Sequence, residues 1–282
     1  MKVLPFKIPA LTTSSIRVDR EKLKEFYPHL HTHQELQLTW VINGTGTAFI
    51  GDKILRFRQG NIFLISSNLP HVFKSDPTNE NVESLSIYFD PGFMGTSFLD
   101  MPECEPINYF LSTFKEGALF NRDSVEPVKQ RLLSIEGAKG LTRILIFIEM
   151  LEFISTSPSY DKIASPEYAS PKIKDGEKIN GIIGHLYSNY TNDIKLDEVA
   201  ELAHMTPQAF CRYFKRHTRK SMVQYLNEIR IGKVCGWLQE KKYTVTESCY
   251  HAGFNNISHF NRTFKSVTGF TPSEYMQRHQ TL

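Results

Sequence analysis

Fifty residues separate two nearly identical phrases in the C-terminal third of this chain. Phe210-Cys211-Arg212-Tyr213-Phe214-Lys215 is answered by Phe260-Asn261-Arg262-Thr263-Phe264-Lys265, so both copies read Phe-x-Arg-x-Phe-Lys. Thr218 and Tyr225 recur at the same offset as Thr268 and Tyr275. Upstream the register slips by one: Leu196, Ala200 and Ala203 correspond to Val245, Cys249 and Ala252, with one extra residue in the second turn. A duplication whose insertion is confined to a turn marks one structural unit used twice. This part of the chain is thereby restricted to two similar modules.

Each module reads as a short helix, a tight turn and a second helix. In the first, Leu196, Val199, Ala200 and Ala203 form an apolar stripe at helical spacing. Thr206 followed by Pro207 starts the next helix, because threonine caps orphan amides and proline needs no hydrogen bond at the first helical position. Phe210 and Phe214 lie four apart and face the core, which leaves Gln208, Cys211, Arg212 and Lys215 on the other faces. In the second module Phe260 and Phe264 take the buried part and leave Ser258, Asn261, Arg262 and Lys265 outside, with Gly253-Phe254 supplying the turn and a core anchor. One such copy is equally well an ordinary amphipathic helix with a solvated face. Two copies with matching turns and caps argue against that reading.

The exposed side chains suit double-stranded DNA. Arg pairs bidentately with guanine and Asn or Gln with adenine in the major groove. Lys215, Arg216, Arg219 and Lys220 suit phosphates, which set register and salt dependence rather than sequence. An amphipathic helix from about Val223 to Leu238 joins the modules, and a stiff connector lets one chain place two reading helices in successive major grooves roughly 34 Å apart. The copies share Arg212 and Arg262 but differ where Gln208 stands against Ser258 and Cys211 against Asn261. The expected target is therefore an asymmetric site per monomer.

Charge follows the same division. From Lys178 to Leu282, 14 Lys and Arg stand against 8 Asp and Glu, a net of +6, while residues 1–177 carry a net of −3. A basic domain joined to a near-neutral one is the asymmetry of a polyanion binder with a partner domain. Met1 to Ala10 lacks the apolar run of a secretory signal, and the most apolar stretch, Leu141 to Ile154, is too short and too charged to span a bilayer. Cys104, Cys211, Cys235 and Cys249 show neither paired nor metal-like spacing. These features point to a reduced, cytoplasmic setting without a membrane partner.

The N-terminal half changes character. From about Ile16 to Phe93, short runs such as Leu36–Ile42, Thr47–Ile50, Lys53–Phe57, Ile62–Ile65 and Ser84–Phe89 alternate with Gly/Asn/Asp turns, which predicts an antiparallel sandwich or small barrel. Between about Ile107 and Ser155 the period becomes helical. Ser155 to Asp175, with Pro158, Pro166 and Pro171, reads as a linker. The expected domains are 1–155, a linker over 156–177, and 178–282.

The stretch from Lys178 to His279 resembles the DNA-binding domain of AraC/XylS-type bacterial transcription regulators. The most specific signature is Ala252-Gly253-Phe254, Phe260-x-Arg262-x-Phe264-Lys265, Gly269-Phe270-Thr271-Pro272 and Tyr275. The resemblance implies seven helices, two helix-turn-helix units and sequence-specific promoter binding. Cys249 stands where the family usually has alanine, and Cys211 where it often has a polar residue. About Leu30 to Phe73 resembles the cupin-like sensor barrel common in the same regulators, whose polar strand face lines a ligand cavity. The fold class implied is α+β, a cupin-like β-barrel with packed helices followed by an all-α domain.

His31, His33, Glu35 and Gln37 alternate as along a strand and project from one face, with Leu36, Leu38, Trp40 and Ile42 on the other; His71 follows Pro70 further on. Three readings stand for these residues: metal ligands, part of an organic-ligand pocket, or polar groups in local hydrogen bonds. Enzymatic cupins place a glutamate four or five residues after the second histidine, where this chain has Gln37 and Leu38. The adopted expectation is a ligand pocket formed by His31, His33, Glu35, Gln37 and His71, with no metal and no cofactor. The resulting reading is a ligand-responsive transcription regulator, not an enzyme. Its expected partners are promoter DNA, a small-molecule effector and a second copy of itself through about Leu141 to Ile154, with RNA polymerase as a further candidate. The alternative is a metal-dependent cupin enzyme with an accessory nucleic-acid-binding domain.

Overall fold

The computed structural model describes residues 15–156, 159–164 and 176–280. The N-terminal residues read above for a secretory signal, and most of the expected linker, lie outside these. The chain divides into two compact units near residue 173.

The N-terminal unit begins with β1 (Ile16–Leu23), β2 (Leu36–Asn43), β3 (Gly46–Ile50), β4 (Lys53–Phe57), β5 (Ile62–Ile65), β6 (His71–Ser75) and β7 (Val82–Phe89). The helices α1 (Thr96–Leu99) and α2 (Glu105–Thr113) follow, then β8 (Gly117–Phe120), α3 (Arg122–Gly137), α4 (Gly140–Thr156) and β9 (Tyr160–Ile163). One sheet has the order β1-β7-β2-β5-β8-β9 and the other β4-β3-β6. Strand pairs in the larger sheet are antiparallel. These two sheets are the predicted barrel-like architecture.

Two departures have local causes. Gly117–Phe120 forms β8 in a region expected to be helical, because four residues between two apolar helical runs are too few to show a strand period. Tyr160–Ile163, expected to be linker, pairs with β8 as an edge strand. Its Ser/Pro-rich flanks disguise it.

The larger sheet has two chemically distinct faces, as the pleat requires. One carries Leu36, Leu38, Leu85, Ile87 and Phe89 into a core completed by Phe147 and Met150 of α4. The Phe89 and Phe147 rings meet edge to face with centroids 4.8 Å apart. Full burial of each such side chain contributes about 1.5–3 kcal/mol. The opposite face is polar and looks into a cavity.

The C-terminal unit contains seven helices among the described residues: α5 (Gly176–Ser188), α6 (Leu196–Leu202), α7 (Pro207–Thr218), α8 (Met222–Gln239), α9 (Val245–His251), α10 (Ile257–Thr268) and α11 (Pro272–Gln280). The connector α8 packs against α5, α7, α9, α10 and α11.

The sequence repeat is a repeat of physical devices. Thr206 accepts a hydrogen bond from the Ala209 amide, and Asn256 one from the His259 amide, capping α7 and α10. Phe214 meets Tyr225 edge to face at 5.4 Å, and Phe264 meets Tyr275 at 5.5 Å. The Thr218 hydroxyl donates to the Phe214 carbonyl and accepts from the Lys220 amide; Thr268 does the same with Phe264 and Phe270. Ser221 with Gln224, and Thr271 with Glu274, form reciprocal caps on the helices that follow. The recurring Thr and Tyr positions thus hold the ends of α7 and α10.

Both units also turn through left-handed backbone at equivalent places. The second uses Gly253 (φ 85°) and Gly269 (φ 80°), while the first uses His204 (φ 53°) and Arg219 (φ 59°). A Cβ on Gly253 would lie 2.5 Å from the Thr191 carbonyl oxygen, whereas one on Gly269 meets nothing within 4 Å. Gly269→Ala is expected to cost about 1–2 kcal/mol from backbone conformation alone. Gly253→Ala should cost clearly more, because the neighbouring backbone must also move. Denaturation of the full chain followed through Trp237 checks this; equal losses would contradict the steric account.

Candidate functional site

The first candidate site is the exposed side of α7 and α10. Phe210, Phe214, Phe260 and Phe264 are fully buried, which fixes the rotational phase of both helices. Gln208, Cys211, Arg212, Lys215, Arg216 and Arg219 are exposed in the first unit, as are Ser258, Asn261, Arg262 and Lys265 in the second. Arg219 sits at the left-handed C-cap of α7. Lys220 differs from these. It is half-buried, and its ammonium is paired at 2.5 Å with the Glu228 carboxylate of α8. Sequence spacing could not show this partner eight residues away.

Arg230 of α8 has a role that the sequence reading missed. Its guanidinium donates to the Tyr190 carbonyl at 2.7 Å and the Asn192 carbonyl at 2.9 Å, and lies over the Phe254 ring. It ties the turn after α5 to the second unit. His259, exposed beside Ser258, lines a cleft with Asn255, Asn256 and Arg262, and belongs to the same surface.

The second candidate site is a cavity of about 320 Å³ in the N-terminal unit. Strand register builds it. Asp19 of β1 stands opposite Ser86 of β7, which stands opposite Thr39 of β2. One step along, Arg17, Tyr88 and Gln37 align in the same way. His71 and Phe73 of β6 and the segment Glu25–Pro28 complete the lining. Asp19 accepts from Arg17 Nε at 2.6 Å, so the lining cation is already paired. Burial, with Asp19 nearby, raises the Glu21 carboxyl above its usual range. Burial also pushes the Tyr88 hydroxyl well up, keeping it protonated.

Of the five pocket residues expected from sequence, His31, Gln37 and His71 line this cavity. His33 lies behind them, 2.9 Å from Gln37. The expectation that His31, His33, Glu35 and Gln37 share one strand face is corrected: β2 begins at Leu36, and His31 makes only an isolated bridge to His71. The cause is local. His33 Nδ1 bonds the Glu35 carbonyl two residues on, and the His33 carbonyl accepts from the Asn68 amide, so the segment bends rather than pairing continuously. Glu35 meets His33 through its backbone, and its carboxylate is no nearer than 3.9 Å to that ring. Arg17, Asp19, Thr39, Ser86 and Tyr88 were missed, although the period-two patterns of β1 and β7 carried the signal.

A duplicated helix-turn-helix surface and a polar cavity in one chain define a two-domain DNA-binding transcription regulator. Residues 199–278 match the family described as a helix-turn-helix domain, and residues 16–125 match the AraC-like ligand binding domain. The chain is 23% identical over 257 residues to the HTH-type transcriptional regulator YdeC of Bacillus subtilis (strain 168), covering 88% of this chain and 86% of that protein. It is 20% identical over 259 residues to the HTH-type transcriptional activator RhaS of Enterobacter sp. (strain 638), covering 88% and 87%. ToxT of Vibrio cholerae O395 aligns over 94% of this chain and 100% of its own, with 14% identity and a TM-score of 0.38. The chain belongs to the AraC/XylS-type family of transcription regulators.

Exposed Arg216 and half-buried, ion-paired Lys220 predict different salt behaviour on DNA. Arg216→Ala should lower the slope of log affinity against log salt by about one if it neutralises a phosphate. Lys220→Ala should change it by much less, because Glu228 already offsets that charge. Slopes measured by fluorescence anisotropy decide; a full unit lost in Lys220→Ala would reject this partition.

Proposed function

We propose that this chain regulates transcription in response to a small polar molecule held in the N-terminal cavity, and that it is not an enzyme. The observation that carries the reading is the pairing of two differently worded reading helices with a cavity lined by cross-strand rows of polar side chains. A ligand alters DNA binding only through unequal affinity for two states of the protein. Here occupancy of the cavity biases how the DNA-binding units of a homodimer are presented. Leu141 and Leu145, exposed on α4, support that helix as the dimer contact. Among the described residues no helix is long and apolar enough to cross a membrane, in keeping with action on cytoplasmic promoter DNA. RNA polymerase is the proposed partner where the bound protein activates.

Arg212 and Arg262 act as base readers in this account. Arg212→Ala and Arg262→Ala are each expected to cost about 1–3 kcal/mol on the specific site and little on random DNA. The two substitutions should relax specificity at different positions, because the neighbouring readers differ between the units. Equal losses on specific and random duplexes would reassign both arginines to phosphates. Genomic footprinting with and without candidate polar molecules tests the response to ligand; an occupancy pattern indifferent to all of them counts against it.

A further inference from the structure

The three histidines at the cavity form a cluster that the regulator reading leaves unused. One ligating nitrogen from each of His31, His33 and His71 lies within 4.8 Å of the others. The β-bridge between His31 and His71, with backbone hydrogen bonds of 3.0 Å in both directions, brings two of the rings together. The Asn68 amide, 2.7 Å from the His33 carbonyl, anchors the third.

All three rings are oriented by the same device. Nδ1 lies 2.8 Å from the His29 carbonyl in His31, 2.8 Å from the Glu35 carbonyl in His33, and 2.9 Å from the Leu69 carbonyl in His71. A carbonyl only accepts, so each Nδ1 carries the ring proton and each Nε2 of a neutral imidazole presents a lone pair. An imidazole whose N–H is held by a carbonyl while its other nitrogen points into a cluster is the usual outer support of a metal ligand.

Gln37 adds a fourth donor. Its Oε1 is 2.9 Å from His33 Nε2 and 2.9 Å from His71 Nε2, while its Nε2 donates to the Thr39 hydroxyl at 2.7 Å. An amide oxygen facing two nitrogen lone pairs is relieved by a cation among them, or by a turned amide whose NH2 donates to both rings while its oxygen accepts from Thr39. Neighbouring donors around a first-row ion, each about 2.1 Å from it, stand about 3 Å apart. The two Gln37 separations match this spacing, and the histidine nitrogens, within 4.8 Å of one another, draw inward on binding.

We propose that His31, His33 and His71 bind one divalent first-row transition metal ion through Nε2, with Gln37 Oε1 as fourth donor. The inference rests on reading this cavity as the sensory site, and it revises the sequence expectation of a purely organic pocket. All four donors are neutral, so the ion keeps its full charge. Glu21 and Glu25 also line the cavity, beside the Arg17–Asp19 ion pair.

The test uses the full chain, stripped with a chelator and titrated with Zn²⁺, Ni²⁺ and Co²⁺ by calorimetry, with metal content measured after dialysis. One equivalent should bind, and Co²⁺ should give the visible absorption of a nitrogen-rich site. His31→Gln should weaken binding by ten- to a hundredfold or more, the loss typical of even an outer-support change. Gln37→Glu, which supplies a carboxylate of the same size, should tighten it, a gain that misfolding cannot mimic. No stoichiometric uptake, or uptake unchanged in both variants, overturns the proposal. DNA affinity measured alongside separates the two claims. Metal binding without any effect of metal or small molecule on DNA affinity sinks the sensory reading alone. A small-molecule response in protein that takes up no metal sinks the metal site alone.

Discussion

Burial of two phenylalanines four residues apart is the constraint on which the DNA-binding half depends. Once Phe210 and Phe214, or Phe260 and Phe264, are committed to the core, the rotation of the helix is fixed and only one arc of side chains can meet DNA. The tyrosine contact and threonine cap then fix where the helix ends. The exposed side chains can change without disturbing the framework, because they are not the ones that pack it. That separation lets one scaffold carry Gln208 and Cys211 in one copy and Ser258 and Asn261 in the other.

The sensory half obeys a different periodicity with the same logic. Alternation along β1, β2 and β7 sends apolar residues to the helix-covered core and polar ones to the cavity. Register converts three separate strand patterns into continuous rows such as Asp19–Ser86–Thr39. A one-residue slip in any strand would exchange its two faces, so the site and the core are specified by the same hydrogen bonds.

Much of this was legible in the sequence, for identifiable reasons. The repeat exposed both helix-turn-helix units because duplicated capping and core residues have fixed spacing. Lys53–Phe57 and Ile62–Ile65 were readable to their ends because turn residues bracket them. Short β8 and β9 were hidden, since four residues hold too little periodicity. The strand face expected through His31 and Glu35 was misread because a bend, like a strand, can bring alternate residues together. Ion pairing of Lys220 with Glu228 and the support of three imidazoles by carbonyls depend on contacts that residue type does not encode.

The left-handed turns set the two modules apart in a way their sequences conceal. Where the second uses glycine, the first holds His204 and Arg219 in the same backbone region, each against a cost of about 1–2 kcal/mol. The first module therefore keeps its shape on credit from its neighbours, chiefly the caps and the packing of α7 on α8. The second module is spared that cost, so one loop geometry carries a different energetic load in each copy.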